Sequence, residues 1–436
     1  MRKLTRRDLL QAAALSSVGY LAGCAVNPVS GQSQLMLLSE GQEVDIDRQK
    51  SPYQFSEDYG VVQDQRLNSY LNETGRRIAA QTHRPRMPYS FRAVNAVYVN
   101  AYAFPGGSIA LTRGILLKLD NEAQLAALLG HELGHVSARH TAQQMSKGTL
   151  IQALSGGVAA VAGGAYTGLG EVASQLGSLG AGALLASYSR DNEREADALG
   201  LEYMVRAGYG PEGILGLMDM LNRESKRDPS ALELMFSTHP MSRERYDAAK
   251  RAIDTRYRQA LNLPQFRERY LDNTAKLRGQ KVGIEAIERG VSALAKKDLK
   301  GAEGHLNEAL RLLPDDYAAL VVMAKIQLVA KKDSQAVVFA ERAKRGYPQE
   351  AQGYYVSGLG NLRQKHFDGA YNDFSQHQRL LAGNPNTTFY LGLSAEGMGR
   401  RDEAVRHYSS YLQTVKQGEQ AQYAYQRLTE WGYVKK

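Results

Sequence analysis

The pentapeptide His131-Glu132-Leu133-Gly134-His135 holds the residue types and the spacing needed for metal chemistry. On an α-helix, positions i and i+4 share one face about 6 Å apart, so His131 and His135 can hold one ion between their imidazoles. Glu132 falls beside that face, where its carboxylate can take a proton from water at the metal. With two histidine donors the expected ion is Zn2+, one per chain, and the chemistry is hydrolysis. By average residue usage, such a pentapeptide arises by chance in roughly one chain of this length in a hundred. Zinc needs a third protein ligand and an open fourth position. A third histidine at H-x-x-G-x-x-H spacing is missing, because His135 is followed by Val136-Ser137-Ala138-Arg139-His140. On a continuous helix His140 points to another face and reads as a supporting residue. Farther on, Glu193 and Asp197 stand four apart. Glu193 can complete a His-His-Glu site while Asp197 hydrogen-bonds a ligand imidazole and fixes its tautomer. Glu195 points elsewhere on that helix. The plain alternative is a pair of solvated carboxylates, since this spacing is common.

The segment from Lys118 to Met145 reads as one helix that carries the pentapeptide. Asp120 can cap it, Glu122 suits its positive end, and Leu125, Leu128, Leu129, Leu133 and Val136 form an apolar face. Gly134 in mid-helix costs about 1 kcal/mol relative to Ala, which close packing of another segment can offset. Upstream, residues 39–82 are helical and polar-rich. Residues 89–116, rich in Val, Tyr and Phe and broken by Pro105-Gly106-Gly107, read as strand, turn and strand. A second helix covers 189–210 with Gly208 as its stop. Then a turn at His239-Pro240 leads into another helix. Between the two metal-bearing helices, residues 149–186 hold nine glycines and one charge, Glu171. A transmembrane hairpin would need more large aliphatics, so small-residue helices beside or over the site, able to act as a lid, are the better reading.

The last third repeats. Gly290, Ala324, Gly358 and Gly392 are 34 residues apart, as are Ala302, Ala336, Ala370 and Ala404. That period, with two small positions twelve apart, is the tetratricopeptide (TPR) pattern of paired helices. The predicted fold is therefore mostly α: an α+β domain with a small β-sheet that carries the metal site over residues 25–280, then a TPR solenoid of four repeats and a capping helix over 281–436.

The start reads as an exported segment. A basic head, an apolar stretch from Leu9 to Ala22 and Leu21-Ala22-Gly23-Cys24 make residues 1–24 a signal peptide with a lipobox, Cys24 being the lipidated residue. Arg6-Arg7 resembles a twin-arginine signal, although Sec signals also carry arginines. Cys24 is the only cysteine, so no intramolecular disulfide forms. The predicted location is the periplasm, with a lipid anchor that Ala25 directs to the outer membrane. A net charge of +9 without a dense basic stripe argues against nucleic-acid binding.

With the second helix and its neighbours added, the chain resembles the gluzincin peptidases related to type I CaaX prenyl proteases and HtpX. The matching residues are His131-Glu132-Leu133-Gly134-His135, Glu193-Arg194-Glu195-Ala196-Asp197, Asn100 to Gly107, Thr238-His239-Pro240 and Arg245. Joined to a signal peptide and TPR units, the whole resembles the periplasmic BepA-like members that act in outer-membrane protein quality control. The multi-span membrane body of the prenyl proteases is absent, which argues against prenylated substrates. The resemblance implies that Glu193 is the third zinc ligand. It implies that His239 and Arg245 reach into the cleft to bind the oxyanion or gate the metal, and that the strand near Asn100 binds substrate at its edge. It further implies partners among unfolded or misassembled envelope polypeptides, with the outer-membrane assembly machinery at the TPR face. A TPR chaperone or adaptor with a latent or gated zinc site is the competing function. A peptidoglycan hydrolase lacks the aromatic cluster it would need.

Overall fold

Short strands open the described chain, which in this computed structural model comprises residues 24–155, 188–227 and 232–434. The signal-peptide reading of residues 1–23, and most of the glycine-rich reading of 149–186, thus fall outside the described residues. β1 (Cys24–Val26) and β2 (Ser33–Leu35) form an antiparallel hairpin ahead of α1 (Glu40–Glu57) and α2 (Gln65–Ala79). The Val-, Tyr- and Phe-rich segment makes a sheet of β3 (Ser90–Val94), β4 (Ala101–Ala103) and β5 (Ser108–Thr112) in the order β3-β5-β4. β5 runs parallel to β3 and antiparallel to β4. The outer edge of β3 is partly covered by a bridge from Val61 to Val94, whereas β4 has no further strand partner among the described residues. Both faces are buried. Phe91, Ala93, Ile109 and Leu111 join the main core, and Val94, Tyr102, Phe104 and Ala110 form a smaller one. In the turn, a Cβ on Gly106 would come within 2.8 Å of the Val44 Cα, so the bend must be glycine to lie against α1.

After α3 (Arg113–Lys118) comes α4 (Glu122–Ser137), which carries the pentapeptide. All of its residues are buried, so the helix read as amphipathic is in fact enclosed, with His131, Glu132 and His135 inside. Asn121 caps it, not Asp120: Asn121 has an extended backbone and its Oδ1 accepts from the Gln124 N–H at 2.9 Å, and Asp120 stands one residue too early. Nor does the helix continue to Met145. Arg139 adopts a left-handed φ of 59°, and α5 (His140–Ser155) starts anew. This break is braced from α1: Arg139 donates to Glu43 at 2.9 Å and to the Leu38 carbonyl at 2.6 Å, and Arg84 donates to the same fully buried Glu43.

α6 (Arg190–Arg206) crosses α4 backbone to backbone. A Cβ on Gly130 would lie 2.7 Å from the Gly200 carbonyl oxygen, and one on Gly134 2.9 Å from that of Ala196. The mid-helix glycines are thus explained by an approach that no side chain permits. α7 (Glu212–Arg227), α8 (Glu233–Thr238), α9 (Arg243–Thr255) and α10 (Arg267–Gly279) complete this layer.

The repeat follows as helix pairs: α11 (Lys281–Ala295) with α12 (Leu299–Leu312), α13 (Tyr317–Val329) with α14 (Asp333–Gly346), α15 (Gln352–Arg363) with α16 (Phe367–Leu380), and α17 (Pro385–Gly397) with α18 (Arg401–Thr414). α19 (Glu419–Glu430) packs on the last pair. The result is a TPR-like solenoid. Ala302, Ala336, Ala370 and Ala404 are fully buried where paired helices meet, and a Cβ on Gly358 or Gly392 would strike Phe374 or Tyr408 at 2.9 or 2.7 Å. The turn inside each pair carries a left-handed residue at the same 34-residue step, namely Lys297, Lys331, Lys365 and Gly399.

The solenoid is joined to the first layer by a polar seam. Arg113, 2% exposed, donates to Asp316 at 2.5 Å; Glu350 accepts from Ser56 and Tyr317; and the Lys325 ammonium sits 5.3 Å from the Tyr59 ring centre. The main apolar core is continuous from Leu67 through Leu306 to Ile326. No helix among the described residues is long and apolar enough to cross a membrane.

Candidate metal centre

Three helices and a turn bring the candidate residues together. His131 and His135 project from α4, Glu193 from the first turn of α6, and His239 follows α8. Ser189 caps α6 in a reciprocal pair with Asn192, which sets the helix start three residues before Glu193. The donor atoms of these four buried residues lie within 4.8 Å of one another. His131 Nε2 is 3.1 Å from His135 Nε2, and Glu193 Oε1 is 3.3 Å from His135 Nε2 and 3.1 Å from His239 Nδ1. Three imidazole nitrogens and one carboxylate, crowded into a volume the size of one ion, make a donor set that suits zinc.

Glu132 supports the fit. It is 1% exposed and neither carboxylate oxygen has a hydrogen-bond partner, with His239 Nε2 3.9 Å away. Burial raises its pKa above the usual carboxylate value, while His239 and His131 pull the other way. Water bridging to a cation would satisfy those oxygens. Around Glu193, burial opposes ionisation, but His131, His135 and His239 hold its carboxyl well below the usual range. Burial drives the His135 pKa well down, which keeps its ring a lone-pair donor.

Asp197 Oδ1 lies 3.0 Å from His131 Nδ1, so the Nε2 of that ring is left to face the cluster. Arg245 lines the cavity beside His131 and His239, and most of its donors are engaged within the protein. It is 6% exposed and forks onto Asp197 with bonds of 2.6 and 2.7 Å. Its remaining nitrogen donates to the Pro240 carbonyl at 2.9 Å and lies 2.6 Å from Glu193 Oε2 without the direction of a hydrogen bond. The pattern is that of an anchor, which follows from the strong match of a guanidinium fork to a carboxylate.

Three further residues join the cluster. The Tyr188 ring stacks on His135 at 3.8 Å and its hydroxyl meets Thr141. His140 Nδ1 is 2.9 Å from His135 Nδ1, and His140 Nε2 is 3.1 Å from Glu195. The expectation that His140 turns to another face fails because α4 ends before it. Glu195 does point away from the donors, but toward His140. No motif marks Tyr188, whereas an H-x-x-x-x-H spacing across a helix end was the available signal for His140.

Residues 65–253 match the model of peptidase family M48. Those residues form an M48 peptidase domain. Its relatives include the beta-barrel assembly-enhancing proteases of Yersinia pestis, 30% identical over 198 residues (44% of this chain, 40% of the relative), and of Escherichia coli K12, 29% identical over 239 residues (52% and 47%). Metalloprotease YcaL of E. coli K12 is 33% identical over 158 residues, 36% of this chain and 59% of its own length. The chain thus spans less than half the length of the two assembly-enhancing proteases. The M48 domain contains all four clustered donors, Glu132 and the edge strand β4.

Proposed function

We propose that this protein is a zinc endopeptidase of the cell envelope that cleaves misfolded or stalled envelope and outer-membrane proteins. The observation that carries the reading is the buried cluster of His131, His135, Glu193 and His239 beside the unpartnered carboxylate of Glu132. The ligands are His131, His135 and Glu193. Zinc held there supplies Lewis acidity toward the peptide carbonyl and toward water. Glu132 takes the proton from the attacking water and passes it to the leaving amine, a role suited by its raised pKa. His239 faces the carbonyl oxygen as its charge develops. Asp197 and Arg245 hold His131 and α6 in place. The free edge of β4 takes the substrate as an added strand, with main-chain hydrogen bonds that need no particular sequence. That tolerance suits unfolded polypeptides.

The division into a protease domain over 25–280 and a TPR domain over 281–436, the latter as docking surface for substrates or for assembly machinery, belongs to the same proposal. So do export to the periplasm and lipidation at Cys24. The names of the assembly-enhancing relatives support an envelope role.

A second reading is favoured by one contact: His239 Nδ1 stands 3.3 Å from His131 Nε2, among the donors. There it can fill the fourth position at rest, leaving the protein a gated peptidase or a TPR chaperone until it moves. The test is cleavage of a denatured outer-membrane polypeptide by the zinc-loaded protein. Cleavage that stops on chelation and returns with zinc supports the proposal. If only His239→Ala cleaves, the gated reading holds. If neither cleaves with zinc bound, the endopeptidase reading is wrong.

A further inference from the structure

His140 and Glu195 lie outside the catalytic assignment, yet they reach the metal helix. The left-handed turn at Arg139, braced by Glu43 and the Leu38 carbonyl, returns His140 over His135. His140 is 1% exposed, and its two ring nitrogens are both engaged, Nδ1 with His135 Nδ1 at 2.9 Å and Nε2 with Glu195 Oε2 at 3.1 Å.

These contacts determine where the protons sit. His135 presents Nε2 to the cluster, 3.3 Å from Glu193. When that nitrogen uses its lone pair on a metal, the ring proton stands on Nδ1. This N–H donates to His140 Nδ1, which must accept. The His140 proton therefore stands on Nε2 and donates to Glu195. Any other placement breaks one of the two hydrogen bonds or removes the lone pair from the cluster.

We propose that Glu195 and His140 form a positioning relay that holds His135 in its metal-binding tautomer and ring orientation, as Asp197 does for His131. The inference rests on the zinc-site reading. The two members are unequal. The His140 side chain is wholly enclosed, so nothing replaces its acceptor, whereas the Glu195 side chain is 34% exposed and water can stand in for it.

The test is zinc affinity of the purified protein by competition with a chromogenic chelator, with the melting temperature recorded for each variant. His140→Leu should lose roughly 10- to 100-fold in affinity, the usual effect of removing such a support. His140→Asn, whose Oδ1 can accept from His135 Nδ1, should recover most of that loss. Glu195→Gln, still an acceptor, should stay within about threefold. The relay is overturned if folded His140→Leu binds zinc as tightly as the parent, or if Asn rescues nothing. A parent that binds no zinc overturns the metal site as well, and so separates the two failures. Ring-nitrogen NMR of the zinc-loaded parent needs no variant: a proton on His140 Nε2 supports the relay, and one on Nδ1 refutes it.

Discussion

Gly200 offers a way to move the third ligand without changing any side chain of the site. It lies seven residues past Glu193 on α6, about 10 Å along the axis. A Cβ there would meet only backbone: His131 N at 2.8 Å, the Gly130 carbonyl carbon at 2.9 Å and the His131 Cα at 3.1 Å. Backbone cannot rotate away, so Gly200→Ala must separate α6 from α4 by about half an ångström or more to reach ordinary contact. Two effects on stability oppose each other. Ala is worth about 1 kcal/mol over Gly in a helix, and overpacking costs about 1–3 kcal/mol. The net loss should be at most about 2 kcal/mol, leaving the domain folded. Zinc responds more sharply, because ligand distances tolerate only about 0.2 Å. We predict at least a tenfold fall in zinc affinity, about 1.4 kcal/mol. Chelator competition gives the affinity and chemical denaturation of the zinc-free protein gives the stability. A variant more stable than the parent with unchanged zinc affinity would refute the claim that backbone contact sets the distance between the two ligand-bearing helices.

Other consequences follow at the seam between the M48 domain and the solenoid. Removing Arg113 leaves the half-buried Asp316 with only the Ala319 N–H as donor, so Arg113→Met should cost about 1–3 kcal/mol, and Asp316→Asn combined with it should cost less than the two singles summed, as a double-mutant cycle by denaturation will show. Lys325 has its pKa lowered to about 8 by burial, against the opposing charges of Glu350 and Glu57. Its pKa in the unfolded chain is the higher of the two, so between about pH 8 and 10.5 the unfolded state binds more protons and stability rises with pH. Lys325→Met should flatten that rise relative to the parent and stabilise the protein at pH 7 by up to about 3 kcal/mol. Equal pH slopes for the two proteins would count against a lysine whose pKa is lowered by desolvation.

The parts of this structure that could be read from the sequence are those set by local spacing. His131 and His135 share a face because any helix puts i and i+4 together, and the TPR-like pairs follow from small residues at a 34-residue step. The left-handed turns of those pairs were not legible, because three of the four positions hold lysine, which gives no sign of the required φ. The same blindness hid the break at Arg139. An arginine at φ 59° is imposed by its bonds to Glu43 and Leu38, contacts roughly a hundred residues away. On a helix that continues, His140 falls on another face and Glu195 has no partner; the break at Arg139 brings them together. Arg245 shows a different limit. Resemblance brought it near the metal, but only the fork onto Asp197 shows that its donors are taken. Gly134 is legible as a site of close approach, though not the segment that approaches, and Gly130 gives no such sign.

The central claim is that Glu132 acts as the base at a zinc held by His131, His135 and Glu193. It is tested most directly by incubating the zinc-loaded protein and its Glu132→Gln variant with one denatured outer-membrane polypeptide, while measuring the zinc content of both. The account predicts equal zinc in the two proteins, cleavage by the parent and a loss of at least about a hundredfold in the variant. Cleavage by Glu132→Gln at the parental rate, with zinc bound, would contradict it.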